Sequence, residues 1–146
     1  MFNIKKAKSE GVEFYMTLKP HNKINIHANY TYTISKDESG SSSIPLLRRP
    51  ENKASLTFNY NITGNTNLNL QVNYTGISFD KDFSSFPAKT VVLKSHTIIN
   101  AAASYNLLHN IKLYGRIINL LNTDYEEVFG YATARRSVYT GIKFNL

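Results

Sequence analysis

From residue 53 to residue 62 every second side chain is apolar. Ala54, Leu56, Phe58, Tyr60 and Ile62 share one parity, and Lys53, Ser55, Thr57, Asn59 and Asn61 share the other. Strand side chains point alternately to the two faces of a sheet, so this stretch builds one apolar and one polar face. A helix needs a period near 3.6, and no long window of the chain holds one. The constraint is therefore strong: this chain folds as β-sheet.

The same alternation recurs in six further segments. Val12, Phe14, Met16 and Leu18 oppose Glu13, Tyr15, Thr17 and Lys19; Ile24, Ile26, Ala28, Tyr30, Tyr32 and Ile34 oppose Asn25, His27, Asn29, Thr31, Thr33 and Ser35. Leu68, Leu70, Val72 and Tyr74 oppose Asn67, Asn69, Gln71, Asn73 and Thr75. Ile99, Ala101, Ala103 and Tyr105 form a weaker set, followed by Ile111, Leu113 and Ile117 and then by Val138, Ile142, Phe144 and Leu146. About seven strands are expected. Between them, short Asn-, Gly- and Pro-bearing turns (20–23, 63–66, 106–110) alternate with longer loops at 36–50, 80–94 and 123–137. This rhythm describes an antiparallel up-and-down meander with short turns at one end and long loops at the other.

A soluble β-barrel or β-sandwich that binds a small ligand would also alternate, with its apolar face inward. Three features favour a membrane barrel instead. The strands are long, near the ~9–11 residues that cross a bilayer at a tilt rather than the usual ~5–6. The polar faces are amides and hydroxyls, and Lys53 is the lone charge on them between Ile24 and Tyr74; a water-facing sheet normally carries Lys and Glu. On the apolar face, Tyr30, Tyr32 and Tyr74 fall near long loops and Tyr60, Tyr105 and Phe144 near turns or the terminus. Aromatic belts at two interfaces mark outer-membrane barrels. Bacterial single-chain barrels close with even strand numbers, so about seven strands imply a piece of a larger barrel.

Composition narrows the chemistry. The 146-residue chain has no cysteine, which removes disulfide scaffolds, thiolate nucleophiles and Cys-based metal sites. No run reaches the ~18 apolar residues of a membrane-spanning helix, and the opening Met1-Phe2-Asn3-Ile4-Lys5-Lys6 lacks the apolar core of a secretory signal. His21, His27, His96 and His109 show no metal-ligand spacing. No Gly-x-Ser-x-Gly elbow is present, and Ser95 and His96 would point to opposite faces of a strand. No catalytic residue, metal or cofactor is expected, and the chain is not read as an enzyme. The net charge of +7 is spread along the chain without a phosphate-cradling motif, which argues against a nucleic-acid partner.

The C-terminal run Ile117-Ile118-Asn119-Leu120-Leu121-Asn122-Thr123-Asp124-Tyr125-Glu126-Glu127, followed by Gly130-Tyr131 and Arg135-Arg136-Ser137, resembles the end of TonB-dependent outer-membrane receptors of the cobalamin and siderophore branch. Gly11-Val12-Glu13, Ala28-Asn29-Tyr30-Thr31-Tyr32 and Arg48-Arg49-Pro50 match earlier strands of that family in the same order. The resemblance implies that residues 1–146 are the C-terminal portion of a transmembrane barrel of about 22 strands. By the same resemblance the signal peptide and plug domain are missing, and TonB would be reached only through that missing N-terminal part. The implied partners are outer-membrane lipid, the rest of the receptor barrel and the barrel-assembly machinery, although the Phe144-Asn145-Leu146 ending departs from the family's usual terminal aromatic. The expected role is passive: barrel wall and extracellular loops of a receptor for a scarce chelate, an iron–siderophore complex or cobalamin, in the outer membrane of a Gram-negative cell. Loop residues Arg48, Arg49, Tyr125, Glu126, Tyr131 and Arg135 are the candidate ligand contacts, since guanidinium forks suit anions.

Overall fold

A computed structural model describes residues 6–40 and 43–144. Met1–Lys5 of the leader reading, Ser41 and Ser42 of the 36–50 loop reading, and Asn145 and Leu146 of the C-terminal reading lie outside the described residues. The strands are β1 (Ala7–His21), β2 (Ile24–Asp37), β3 (Ile44–Pro45), β4 (Asn52–Asn61), β5 (Thr66–Thr75), β6 (Ser78–Asp82), β7 (Lys89–Leu93), β8 (His96–Leu108), β9 (Ile111–Ile118) and β10 (Ser137–Phe144). The main sheet runs β1-β2-β4-β5-β8-β9-β10, every pair antiparallel, with β3 added at the end of β2. The up-and-down meander of seven long strands stands as expected.

Register turns the sequence alternation into rows. Across all seven strands the partners Leu18, Ile26, Phe58, Leu70, Ala101, Ile117 and Val138 line up on one face. Toward the long loops the row Phe14, Tyr30, Ala54, Tyr74 follows, which is where an aromatic belt belongs. The opposite face carries Thr17, His27, Thr57, Gln71 and Asn100 in one row and Asn25, Asn59, Asn69, Ala102, Arg116 and Tyr139 in the next.

The apolar face has no covering layer. Leu93 is the one buried apolar side chain among the described residues, while Leu70 is 39%, Leu56 44% and Val138 63% exposed. Water would penalise each such side chain by ~1.5–3 kcal/mol relative to burial. The polar face, by contrast, satisfies part of itself. Asn69 Nδ2 donates to Asn59 Oδ1 at 2.7 Å, Asn67 Nδ2 to Asn61 Oδ1 at 2.8 Å, and Ser55 Oγ to Asn29 Oδ1.

Two boundaries differ from the alternation. β1 begins at Ala7, ahead of Val12, because backbone pairing such as Lys8 with Lys36 and Ser9 with Ser35 needs no apolar side chain. The expected loop 80–94 contains most of a separate hairpin, β6–β7, joined through Ser78–Leu93 to Asp82–Lys89 pairs. Five-residue strands are too short for a period of two to declare itself. β1 and β10 are the two edges of the main sheet.

Candidate functional site

All three long connections lie at one end of the meander, and a single carboxylate ties them together. Asp80, on β6, is fully buried. Its Oδ1 accepts from Arg48 Nε at 3.0 Å and from the Lys81 amide at 2.9 Å, and its Oδ2 accepts from the Phe129 amide at 2.9 Å. Arg48 is placed for this by its own amide, which donates to Phe79 O at 2.7 Å, and by a left-handed backbone with φ of 56°. Burial works to raise the Asp80 carboxyl, but the Phe129 and Lys81 amides and the Arg48 guanidinium outweigh it and hold the group below the ordinary aspartate value. The β2–β4, β5–β8 and β9–β10 connections thus meet at one ionised group.

The last connection is shaped by the Asn119–Asn122 run. Both asparagines adopt left-handed backbone, φ 54° and 55°, a conformation asparagine tolerates better than most residues. The buried Asn119 side chain accepts from the Thr123 amide at 2.8 Å and donates to Thr123 O at 2.9 Å, while its amide donates to Asn100 Oδ1 at 3.0 Å. Asn122 Oδ1 accepts from the Arg136 amide at 3.0 Å. Two amide side chains therefore fold residues 119–136 back over the end of β8.

Under these loops lies a cleft of about 330 Å³ lined by Arg48, Lys53, Lys94, His96, Glu126 and Glu127, with Gly76 and Leu93 among its walls. Lys53, Thr75 and His96 are neighbours in one polar-face row, so the cleft opens on the polar side of the sheet. Gly76 is required beside it: a Cβ there would stand 2.9 Å from Asn52 O. The His96 ring stacks on Tyr125 with centroids 4.3 Å apart, and its buried Nδ1 has no hydrogen-bond partner among the described residues. Of the three cations in the lining Arg48 is already paired with Asp80, which leaves Lys53 and Lys94 facing Glu126 and Glu127, a lining suited to a hydrogen-bonding ligand with an anionic part. Among the described residues no group of three His, Asp or Glu side chains is placed to hold a metal ion.

The six candidates divide. Arg48 and Glu126 line the cleft, and Tyr125 stands beside it on His96. Arg135 Nη2 is 2.6 Å from Asp124 Oδ2, both exposed, and lies outside the cleft lining, as do the exposed Arg49 and Tyr131. Glu126 Oε2 accepts from the amide of Gly130, whose φ is 77°. Sequence reasoning missed Lys53, Lys94 and Asp80 as site residues. Lys53 had a readable signal, being the lone charge on the polar face of its strands; Asp80 had none.

A family model described as "TonB dependent receptor-like, beta-barrel" matches residues 1–120. Among solved structures, the fold is similar to the ferripyoverdine receptor of the outer membrane of Pseudomonas aeruginosa bound to ferripyoverdine, with TM-score 0.81 and 16% identity over 94% of this chain and 19% of that one. It is similar to the ferric-catecholate import receptor Fiu from E. coli K12, with TM-score 0.81 and 17% identity over 94% and 21%. The siderophore receptor PiuA from Acinetobacter baumannii is similar at TM-score 0.74 and 23% identity over 94% and 22%. The chain spans about a fifth of the length of these receptors.

Proposed function

Because this chain belongs to the TonB-dependent receptor β-barrel family, we propose that it forms wall and extracellular loops of an outer-membrane receptor that imports a scarce chelate. The observation that carries this reading is the seven-strand apolar row from Leu18 to Val138, uncovered on one side of the sheet. Only hydrocarbon removes that cost without a second protein layer. The sheet's open edges, β1 and β10, pair with the remaining strands of the barrel, since unpaired edges are not tolerated in lipid.

In this reading residues 1–146 are the C-terminal portion of the barrel, embedded in the outer membrane of a Gram-negative cell by the barrel-assembly machinery. The plug domain and the TonB contact belong to the rest of the receptor, so this portion alone does not drive transport. Its role is not enzymatic. The ligand is an iron–siderophore complex rather than cobalamin, in keeping with the solved receptors of similar fold, whose described ligands are ferripyoverdine and ferric catecholates. With Arg48 held by Asp80, Lys53 and Lys94 of the cleft take the anionic part of the chelate.

Titration of ferric pyoverdine, a ferric catecholate and cobalamin against the whole receptor that contains this portion, in detergent micelles, tests this. A fluorophore attached at position 125, beside the cleft where Tyr125 stacks on His96, reports occupancy. Saturable quenching by a ferric siderophore, weakened in Lys53→Gln/Lys94→Gln, is expected. Quenching by none of them, or equal quenching in the variant, rejects the ligand assignment.

A further inference from the structure

The cleft beneath the loops carries both signs of charge, and they do not neutralise each other. With Arg48 held by Asp80, its remaining charged walls are Lys53 on β4, Lys94 between β7 and β8, and Glu126 and Glu127 in the last connection. Among the described residues none of these four side chains belongs to an ion pair. Each therefore reaches the cleft with its charge uncompensated by the protein.

Their placement separates the signs. Lys53 and His96 stand in one polar-face row with Thr75 between them, two strand spacings or ~10 Å apart. The Tyr125 ring stacks on His96 at 4.3 Å, so the two carboxylates that follow Tyr125 in sequence enter from the His96 side. Glu126 is steadied there by the Gly130 amide, which donates to its Oε2 at 3.4 Å. The cleft therefore has a cationic end at Lys53 and an acidic end at Glu126 and Glu127, with Lys94 in the wall that joins β7 to β8.

We propose that the cleft selects a chelate bearing a cationic group, an ammonium or a guanidinium, as well as an anionic one, the cation meeting Glu126 and Glu127. The inference rests on the reading above that Lys53 and Lys94 take the anionic part. An arm with negative charge alone would satisfy the lysines and set its charge against two carboxylates, and like charges brought together in a contact cost affinity. A neutral arm would displace water from all four charged groups and compensate none of them. A dipolar arm compensates both walls at once. At about 330 Å³ the cleft lies at the small end of ligand sites, so it receives an arm rather than the whole chelate.

The test is calorimetric titration of the whole receptor that contains this portion, in detergent micelles, with one linear ferric trihydroxamate core in four forms. One form carries a terminal ammonium and a terminal carboxylate, two carry either alone, and the last carries neither. Three hydroxamates neutralise iron(III), so the terminal groups alone set the charge. Expected is binding of the dipolar form about tenfold tighter than either singly charged form, as gain of one close charge pair predicts. Glu126→Gln/Glu127→Gln must abolish its advantage over the carboxylate form and keep that over the ammonium form. Lys53→Gln/Lys94→Gln must do the reverse, and the preference retained in each variant separates lost charge from lost fold. Equal binding of the four forms, or one variant erasing both preferences, overturns the proposal. Absence of saturable binding by all four forms also overturns it. If ferric pyoverdine still binds, only the charge assignment is lost; if it does not, the chelate reading fails as well.

Discussion

Arg48 and Asp80, 32 residues apart in sequence, are joined at 3.0 Å by a guanidinium–carboxylate hydrogen bond, with Asp80 fully buried and the Phe129 amide bound to its other oxygen. Replacing Asp80 by Ala strands a guanidinium and an inward-facing amide together. The expected cost is ~1–3 kcal/mol, localised to the loops. Hydrogen exchange should accelerate at the Phe129 amide and across β6–β7, while the β4–β5 ladder keeps its protection. Asp80→Asn retains part of the acceptor geometry and should lose less.

The same group sets a pH dependence. The folded Asp80 carboxyl lies below its unfolded value, so its contribution is fully present above the unfolded aspartate range, ~3.9, and fades as pH falls through the lower folded value. The three loops should stay clasped from neutral pH down to about pH 4 and release below it. Carboxyl-carbon NMR of Asp80 reads this directly; a midpoint above the ordinary aspartate value contradicts it.

Asn119 supports the last connection through its left-handed backbone and two side-chain bonds to Thr123. Asn119→Ala loses both bonds and strains the backbone, for a cost of ~2–4 kcal/mol. Asn119→Gly relieves the strain and should lose about half as much. Denaturant titration of the whole receptor in micelles, with proteolysis at residues 123–136 as a local probe, distinguishes the two.

Arginine placed on the lipid side separates the faces energetically. Leu56→Arg or Val72→Arg should cost ~2–4 kcal/mol near the bilayer midplane. Thr57→Arg, next door on the polar face, should be clearly milder. Equal penalties, read from unfolding midpoints in lipid vesicles, would remove the distinction between the faces.

The sheet was legible in the sequence because each main strand pairs with the next long strand, so one period of two, repeated, fixes topology, register and facing together. The row from Leu18 to Val138 is that periodicity written across seven strands. The site was less legible. Arg48 and Arg135 attract notice as anion ligands, yet one is committed to Asp80 and the other to Asp124. Asp80 sits in Ser78-Phe79-Asp80-Lys81-Asp82, where nothing local signals burial; its role arises from contacts 32 and 49 residues away. Asn119 and Asn122 carried the family resemblance, but the reason for them, a left-handed turn closed by amide side chains, needed coordinates.

The natural chain lacks cysteine, so single-cysteine labelling reports one site at a time. Leu70→Cys and Asn69→Cys, adjacent in β5 and on opposite faces, carry a polarity-sensitive fluorophore in the whole receptor, reconstituted in lipid vesicles and challenged with lipid-bound and aqueous quenchers. The lipid quencher should extinguish the label at 70 and spare that at 69. The reverse pattern, or a label at 70 shielded from both, would mean that the Leu70 surface is sealed in protein or water-facing and that the chain is not a membrane wall.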